Sequence, residues 1–274
     1  MAITLGSLFD GIGVFPLAAS NYGIVPLWAS EIEKVPISIT KKHFPQMQHL
    51  GDITKLDGAK IPPVHIITFG SPCQNLSTIG AREGLAGAKS GLFHHAIRII
   101  QEMRCATDGK YPVIAVWENV RGAFSSNNRL DFRAVLESFA DTEIPMPASR
   151  RWANAGMVRG GKVDVCWRLL DAQYWGEPTL SQRRKRIFVV ADFRGQRAAE
   201  ILFKPHKLHA HIDPSRKSWL SSGERNRISV NQARGKIPVL CPFEERRTRG
   251  SAKYQDTQGF VRSFGRPNDP FPPY

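Results

Sequence analysis

Short apolar runs alternate with helix-type segments through the first two thirds of the chain, and no other feature limits the choice of fold as strongly. Apolar residues recur at helical spacing in segments such as Leu92 to Arg104. The runs predicted to be buried strands are Ile3 to Phe9, Ile24 to Ser30, Val64 to Gly70, Val113 to Trp117 and Ile187 to Ala191. This alternation predicts an α/β fold whose parallel sheet is covered by helices on both faces. Ligands of such sheets bind at the carboxyl ends of the strands.

Composition excludes several other classes of protein. The 274 residues are 42% hydrophobic and 23% charged, as in globular proteins. No apolar run approaches the roughly 18 residues that a membrane-spanning helix needs. The N-terminal segment MAITLGSLFDGIG has no basic region ahead of an apolar one, so we predict a cytoplasmic protein that does not bind membranes. The four cysteines include no Cys-x-x-Cys pair, and no metal site is predicted.

Positive charge is concentrated near the C-terminal end. The net charge is +14, and from Gln182 to Tyr274 there are 20 Lys and Arg against 8 Asp and Glu. Such a field attracts polyanions, which makes nucleic acid the predicted partner; a solvated basic surface without a partner is the alternative. The strand and helix alternation also fades after Asp192. We therefore predict a main domain over residues 1–193 and a smaller, irregular basic module over residues 194–274.

Glycines and acids follow the first three strand-like positions. Gly11 and Gly13 form a turn directly after the first strand, and glycines there allow a ligand to approach the backbone closely. Glu31 follows the second strand, where the ribose of a nucleotide needs an acceptor, and Asp52 lies where an adenine amino group could be bound. Each acid alone is more often a surface or capping residue. Together they favour a nucleoside cofactor.

A second group of residues points to covalent chemistry. The strand ending at Gly70 leads into Ser71-Pro72-Cys73-Gln74, which places a cysteine at a strand end like a nucleophile; an inert buried thiol is the alternative. Glu118 directly follows a buried apolar strand, where a carboxylate has to be paired or functional. Strand alternation predicts that Arg184 and Arg186 share one face at the start of the last apolar run.

The motifs GSPCQ, SGLF, ENV and QRRKR occur in this order, and with them the chain resembles the cytosine-C5 DNA methyltransferases of bacteria and phages from about Thr4 to Asp192. The resemblance implies a class I (Rossmann-like) methyltransferase fold with a smaller, partial target-recognition module. It implies S-adenosylmethionine as methyl donor and duplex DNA as substrate. The implied reaction is that of a DNA (cytosine-5-)-methyltransferase, in which a cysteine bonds to C6 of a flipped cytosine.

The resemblance also implies roles for individual residues. Cys73 would be the nucleophile, and Glu118, Arg184 and Arg186 would hold the cytosine. The residues that would bind S-adenosylmethionine are Phe9, Gly11, Gly13, Glu31, Ile32, Asp52, Ile53, Pro72 and Leu92.

The late motifs of the family have no counterpart in the sequence: there is no Gly-Asn-Ser-Val segment and no late helix containing arginine and glutamate. This favours, as an alternative, a truncated, split or degenerate relative that binds DNA and needs a second polypeptide for catalysis. A tRNA cytosine methyltransferase is a further alternative, although the Cys-Phe-Thr segment of that branch is absent. A dinucleotide-dependent oxidoreductase would need a complete Gly-x-Gly-x-x-Gly fingerprint and leaves Cys73 and Glu118 without a role.

Overall fold

The computed structural model describes residues 2–72, 91–159, 163–175 and 182–203, together with the backbone of residues 227–229. All of them belong to one compact unit, residues 1–237. Most of the basic module predicted over residues 194–274 lies outside the described residues, so its boundary stays a prediction. In the described part of the chain, no helix has the length and apolar character that crossing a membrane requires.

The described residues form nine strands and five helices. The strands are β1 (Thr4–Leu8), β2 (Val25–Ser30), β3 (Gln48–His49), β4 (Ile66–Phe69), β5 (Ile114–Val120), β6 (Ala155–Arg159), β7 (Asp164–Asp171), β8 (Lys185–Asp192) and β9 (Arg227–Ser229). The helices are α1 (Val14–Ser20), α2 (Lys34–His43), α3 (Gly91–Ala106), α4 (Leu130–Ala140) and α5 (Ala198–Phe203).

All nine strands form one sheet in the order β3-β2-β1-β4-β5-β8-β7-β6-β9. Strands β1 to β5 pair in parallel, whereas β8 runs antiparallel to β5. The strand order reverses between β1 and β4, and such a switch point opens a crevice at the carboxyl edge of a sheet. Together these features confirm the predicted class I α/β fold.

The parallel sheet predicted from the alternation is found in β1 to β5, and beyond β5 the sheet continues with the antiparallel strand β8. Strand β7 pairs antiparallel with both β8 and β6. Neighbouring antiparallel strands need no crossover helix between them, and an apolar run of residues does not encode its own direction.

Aromatic side chains pack α3 and α4 against one face of the central strands. The ring of Phe93 in α3 lies 5.9 Å from that of Trp117 in β5 and 6.1 Å from that of Phe69 in β4, between ring centroids. Phe139 of α4 contacts the same Phe69 ring at 6.1 Å. The packing of these rings holds the carboxyl ends of β4 and β5 in place, and these ends carry Ser71 and Glu118.

Candidate functional site

The carboxyl edge of the parallel strands gathers most of the predicted site residues. Strands β1, β2, β4 and β5 end there, and β8 begins there because it runs in the opposite direction. Cys73 lies outside the described residues, so its place rests on the sequence.

The turn after β1 is built from backbone conformations that favour glycine. Gly11 has a φ of 56° and Gly13 a φ of 83°, and Gly13 caps α1 in the left-handed conformation. A Cβ added at Gly11 would meet nothing within 4 Å, whereas one at Gly13 would come within 2.8 Å of the Thr40 Cγ2 atom of α2. Phe9 also has a positive φ, 53°. The turn therefore presents Gly11 to open space and uses Gly13 to pack two helices.

Glu31 links the first turn to the second strand. Its Oε2 atom accepts a hydrogen bond from the Gly11 N–H at 2.8 Å. Its Oε1 atom accepts from the N–H groups of Ile32 at 2.8 Å and Glu33 at 3.0 Å. The structure thus brings Glu31 and Gly11 together and fixes the carboxylate, while the neighbouring Ile32 side chain is 66% exposed.

Asp10, in the same turn, is a candidate that the sequence analysis missed. The residue is 7% exposed, and neither of its carboxylate oxygens has a hydrogen-bond partner among the residues that the structure describes. Burial raises the pKa of Asp10 to about 6; the Ser7 hydroxyl lowers it less, and the charge of Glu31 adds to the rise. An acid between a strand and a glycine turn was the available signal.

Asp52 caps the short 3-10 turn Ile53–Lys55. Its Oδ1 atom accepts from the Thr54 backbone N–H at 2.9 Å and from the Thr54 hydroxyl at 2.8 Å, and these bonds lower the pKa of Asp52. Ile53 is 4% exposed and belongs to the core, whereas Leu92 at the start of α3 is 40% exposed. Of these predicted cofactor residues, Leu92 has accessible side-chain surface and Ile53 has little.

Helix α3 holds this turn in place. The Arg98 guanidinium donates to the carbonyls of Ile53 at 3.2 Å and Leu56 at 2.7 Å. The same side chain pairs with Glu102 at 2.9 Å, and Glu102 in turn accepts from the Gly58 N–H at 2.7 Å. Arg98 and Glu102 therefore anchor the segment that carries Asp52.

Glu118 and Arg186 form an ion pair between β5 and β8. Arg186 Nε lies 2.8 Å from Glu118 Oε1, and the two side chains are 22% and 24% exposed. The pairing register sets Arg186 opposite Val120, which brings its side chain back to Glu118. Arg184 precedes β8 and is exposed, so strand alternation does not bring its side chain to the same pair.

Residues from both faces of β5 lie beside the turn that leads to Cys73, and those on one face bond to it. A Cβ at Gly70 would lie 3.3 Å from Glu118 Oε2. On the other face, the Ser71 hydroxyl accepts from the Trp117 indole N–H at 3.1 Å, and the Ser71 carbonyl accepts from the Asn119 amide at 3.1 Å. Ser71, Trp117 and Asn119 were assigned no role from the sequence, although an asparagine directly after Glu118 at a strand end was a usable signal.

The known proteins that resemble this chain include several named as methyltransferases. A protein of Escherichia phage P1 named DNA N-6-adenine-methyltransferase is 31% identical over 77% of this chain and 31% of its own length. The type II methyltransferase M.MspI of Moraxella sp is 31% identical over 67% of this chain and 37% of its own. M.BsuFI of Bacillus subtilis is 28% identical over 69% and 39%. The chain thus spans between three and four tenths of the length of these curated relatives.

Among solved structures, a mutant of Spodoptera frugiperda DNMT2 covers 70% of this chain and 50% of its own, with 20% identity and a TM-score of 0.45. The family model described as C-5 cytosine-specific DNA methylase matches residues 3–261, which include every predicted site residue. The chain therefore belongs to the C-5 cytosine-specific DNA methylase family.

Proposed function

We propose that this chain transfers a methyl group from S-adenosylmethionine to C5 of cytosine in duplex DNA, with Cys73 as the nucleophile. The observation that carries the proposal is the Glu118–Arg186 ion pair, which lies beside the turn that leads to Cys73. The pair places a carboxylate and a cation at one edge of the sheet, where the Cys73 thiol of a member of this family would join them.

The residues at the carboxyl edge fit S-adenosylmethionine. Open space lies over Gly11, and the Glu31 carboxylate beside it would accept from the ribose hydroxyls. The Asp10 carboxyl, which has no partner among the described residues, would accept from the ammonium group of the methionine part. Asp52 would bind the adenine amino group. The apolar walls would come from Phe9, Ile32, Pro72 and Leu92.

The cofactor supplies an electrophilic methyl group, but C5 of cytosine is too weak a carbon nucleophile to attack it unaided. The Cys73 thiolate would form a bond to C6 while Glu118 holds a proton at N3, and the displaced π electrons would make C5 nucleophilic. After C5 takes the methyl group, transfer of the C5 proton to solvent water and breaking of the S–C6 bond would restore the double bond and the thiolate, and the N3 proton would return to Glu118.

The two arginines would have different duties. Arg186 holds the Glu118 carboxylate through a charge-assisted bond and would keep it aimed at the base. Arg184, which precedes β8 and is exposed, would bind the cytosine O2. A stacked base cannot reach such a site, so the target cytosine would be flipped out of the duplex. The basic C-terminal region would neutralise phosphates.

The proposed target atom, cytosine C5, differs from the adenine N6 in the name of the phage P1 relative. An adenine N6 amine has its own nucleophilic nitrogen, so its methylation does not need a thiolate attached to the ring. The Ser-Pro-Cys segment and the Glu118–Arg186 pair serve the carbon reaction, which favours cytosine C5 for this chain.

The test is transfer of labelled methyl from S-adenosylmethionine to unmethylated duplex DNA, with the nucleosides separated afterwards. We expect label in 5-methylcytosine, none in N6-methyladenine, and less with tRNA as substrate. Cys73→Ser should abolish turnover and Glu118→Gln should lower it by about 100-fold or more, with cofactor binding retained in both.

Label in N6-methyladenine, or in tRNA ahead of DNA, would contradict the proposal. If the chain binds cofactor and DNA but gives no label, the alternative of an incomplete relative would be favoured. Addition of a second polypeptide that restores labelling would then identify what completes the site.

A further inference from the structure

The residue two positions before Cys73 is held by an unusual partner. Ser71 is 4% exposed, and its hydroxyl accepts a hydrogen bond from the indole N–H of Trp117, which is fully buried. The indole N–H groups of Trp28, Trp152 and Trp167 donate instead to backbone carbonyls. Trp117 thus uses its one polar atom to hold a side chain of the turn that leads to Cys73.

Trp117 itself has little freedom to move. Its ring packs edge-on against Phe93 of α3, with the centroids 5.9 Å apart and the planes at 74°. Its backbone lies in the middle of the sheet, where β5 pairs with both β4 and β8. A donor fixed in this way can fix the acceptor, because reorienting the indole would disturb the packed core.

The same strand carries the carboxylate of the site. Residues of β5 alternate between faces, so Trp117 and Asn119 lie on one side and Glu118 on the other. On one side of β5, Trp117 and Asn119 form hydrogen bonds with Ser71 of the turn. On the other side, the Glu118 carboxylate lies near Gly70. Because Cys73 follows Ser71 by two peptide bonds, its Cα is within about 7 Å of the Ser71 Cα.

We propose that Trp117 is a positioning residue for the methyl-transfer reaction: its indole N–H, bonded to the Ser71 hydroxyl, sets the separation between Cys73 and Glu118. The inference rests on the proposed function. Trp117 is fully buried, so it would act through Ser71 and not by touching substrate. Both groups have to reach one cytosine ring, at C6 and at N3, so a small displacement of the turn costs rate while leaving cofactor binding intact.

The variants that test this are Trp117→Phe, Ser71→Ala and their combination. Phenylalanine keeps an aromatic ring in the core and removes the donor, and alanine removes the acceptor. The matched control is Trp167→Phe, which deletes an equally buried indole N–H that donates to the Ala153 carbonyl at 3.0 Å, in the antiparallel half of the sheet. All four proteins are compared with the unaltered chain in thermal unfolding.

The measurement is the single-turnover rate of methyl transfer at saturating cofactor and DNA. A second readout is the rate of covalent adduct formation with DNA containing 5-fluorocytosine, which has no C5 proton to lose. We expect each of Trp117→Phe and Ser71→Ala to slow both rates by about 10- to 100-fold, with the affinity for S-adenosylmethionine changed by less than about twofold. The double variant should be no slower than the slower single variant, because both changes break one bond.

Trp167→Phe should unfold at a lower temperature than the unaltered chain and keep its rates. If the unaltered chain labels cytosine but Trp117→Phe and Ser71→Ala match it, the positioning role is wrong while the proposed function stands. Losses that multiply in the double variant would also overturn the inference. An unaltered chain that forms neither product nor adduct would instead contradict the proposed function.

Discussion

Asp10 places a carboxyl group in the protein interior at the turn where the cofactor would bind. Its pKa is about 6 in the folded chain and 3.8 in the unfolded chain, because burial disfavours the charged form. The folded state therefore binds the Asp10 proton more tightly than the unfolded state. The resulting contribution to stability is full below about pH 4 and is lost as the pH rises through about 6.

Asp10→Asn should remove this dependence. The unaltered chain loses stability between pH 4 and pH 7 because the pKa of Asp10 differs by about two units between its folded and unfolded states. Asparagine does not titrate, so the free energy of unfolding of the variant, relative to that of the unaltered chain, should rise by about 3 kcal/mol over this range. Urea unfolding at several pH values measures the difference. Asp52→Asn is the control with the opposite direction, since hydrogen bonds from Thr54 lower the pKa of Asp52. A pH-independent difference for Asp10→Asn would contradict the prediction.

At the residue scale, sequence and structure agree best where a polar group follows an apolar run of residues. The requirement that Glu118 be paired or functional was predictable from its position, and the structure supplies Arg186 as its partner. The bonds of Ser71 to Trp117 and Asn119 were not predictable. They join residues 46 and 48 positions apart, and their formation depends on the pairing of β4 with β5.

At the element scale, the strands that end at the site were predictable because each is an apolar run bounded by glycine, proline or an acid. Strands β6 and β7 and helix α4 were not identified from the sequence. Helix α4 follows Asn127, Asn128 and Arg129, which all have a positive φ. Three such residues in a row are uncommon, so the residue types did not predict that a helix begins there. The antiparallel order of β8, β7 and β6 depends on pairing between neighbours and not on the pattern within one strand.

Helix α3 contributes to the site by holding the segment that carries Asp52. Arg98→Met keeps the aliphatic stem of the side chain but loses its bonds to the carbonyls of Ile53 and Leu56. We expect the free energy of unfolding to fall by about 2 kcal/mol and the affinity for S-adenosylmethionine to fall several-fold. Chemical unfolding and calorimetric titration with the cofactor measure the two effects.

The matched control for that variant is Arg133→Met. Arg133 lies in α4, is 25% exposed in its side chain, and pairs with Glu137 and Glu143 at 2.8 Å each. The Arg133→Met variant should have a lower free energy of unfolding but the same affinity for S-adenosylmethionine. If both variants weaken cofactor binding equally, the effect comes from general destabilisation and not from the segment around Asp52.

At the scale of the whole molecule, the distribution of charge along the chain is asymmetric, as binding to the proposed DNA substrate would require. Sixteen of the 20 Lys and Arg from Gln182 onward come after β8, while the residues before Gln182 are nearly neutral in sum. Sequence alone shows this asymmetry because it needs no knowledge of contacts. Which of these side chains would contact bases and which would contact phosphates depends on the folded arrangement and not on the count of charges.

Arg246, Arg247 and Arg249 form the densest cluster of this charge after β8, and changing all three to Gln tests its role. Each phosphate contact releases counterions, so a plot of log affinity for duplex DNA against log salt should become shallower by up to about 3. Fluorescence anisotropy with an unmethylated duplex over a range of salt concentrations measures this slope. The control changes Lys34, Lys41 and Lys42 of α2 to Gln. These lysines are exposed, and their substitution removes the same amount of charge but should leave the slope nearly unchanged. Equal slopes for the two triple variants would show that net charge, and not the basic C-terminal region, governs binding to DNA.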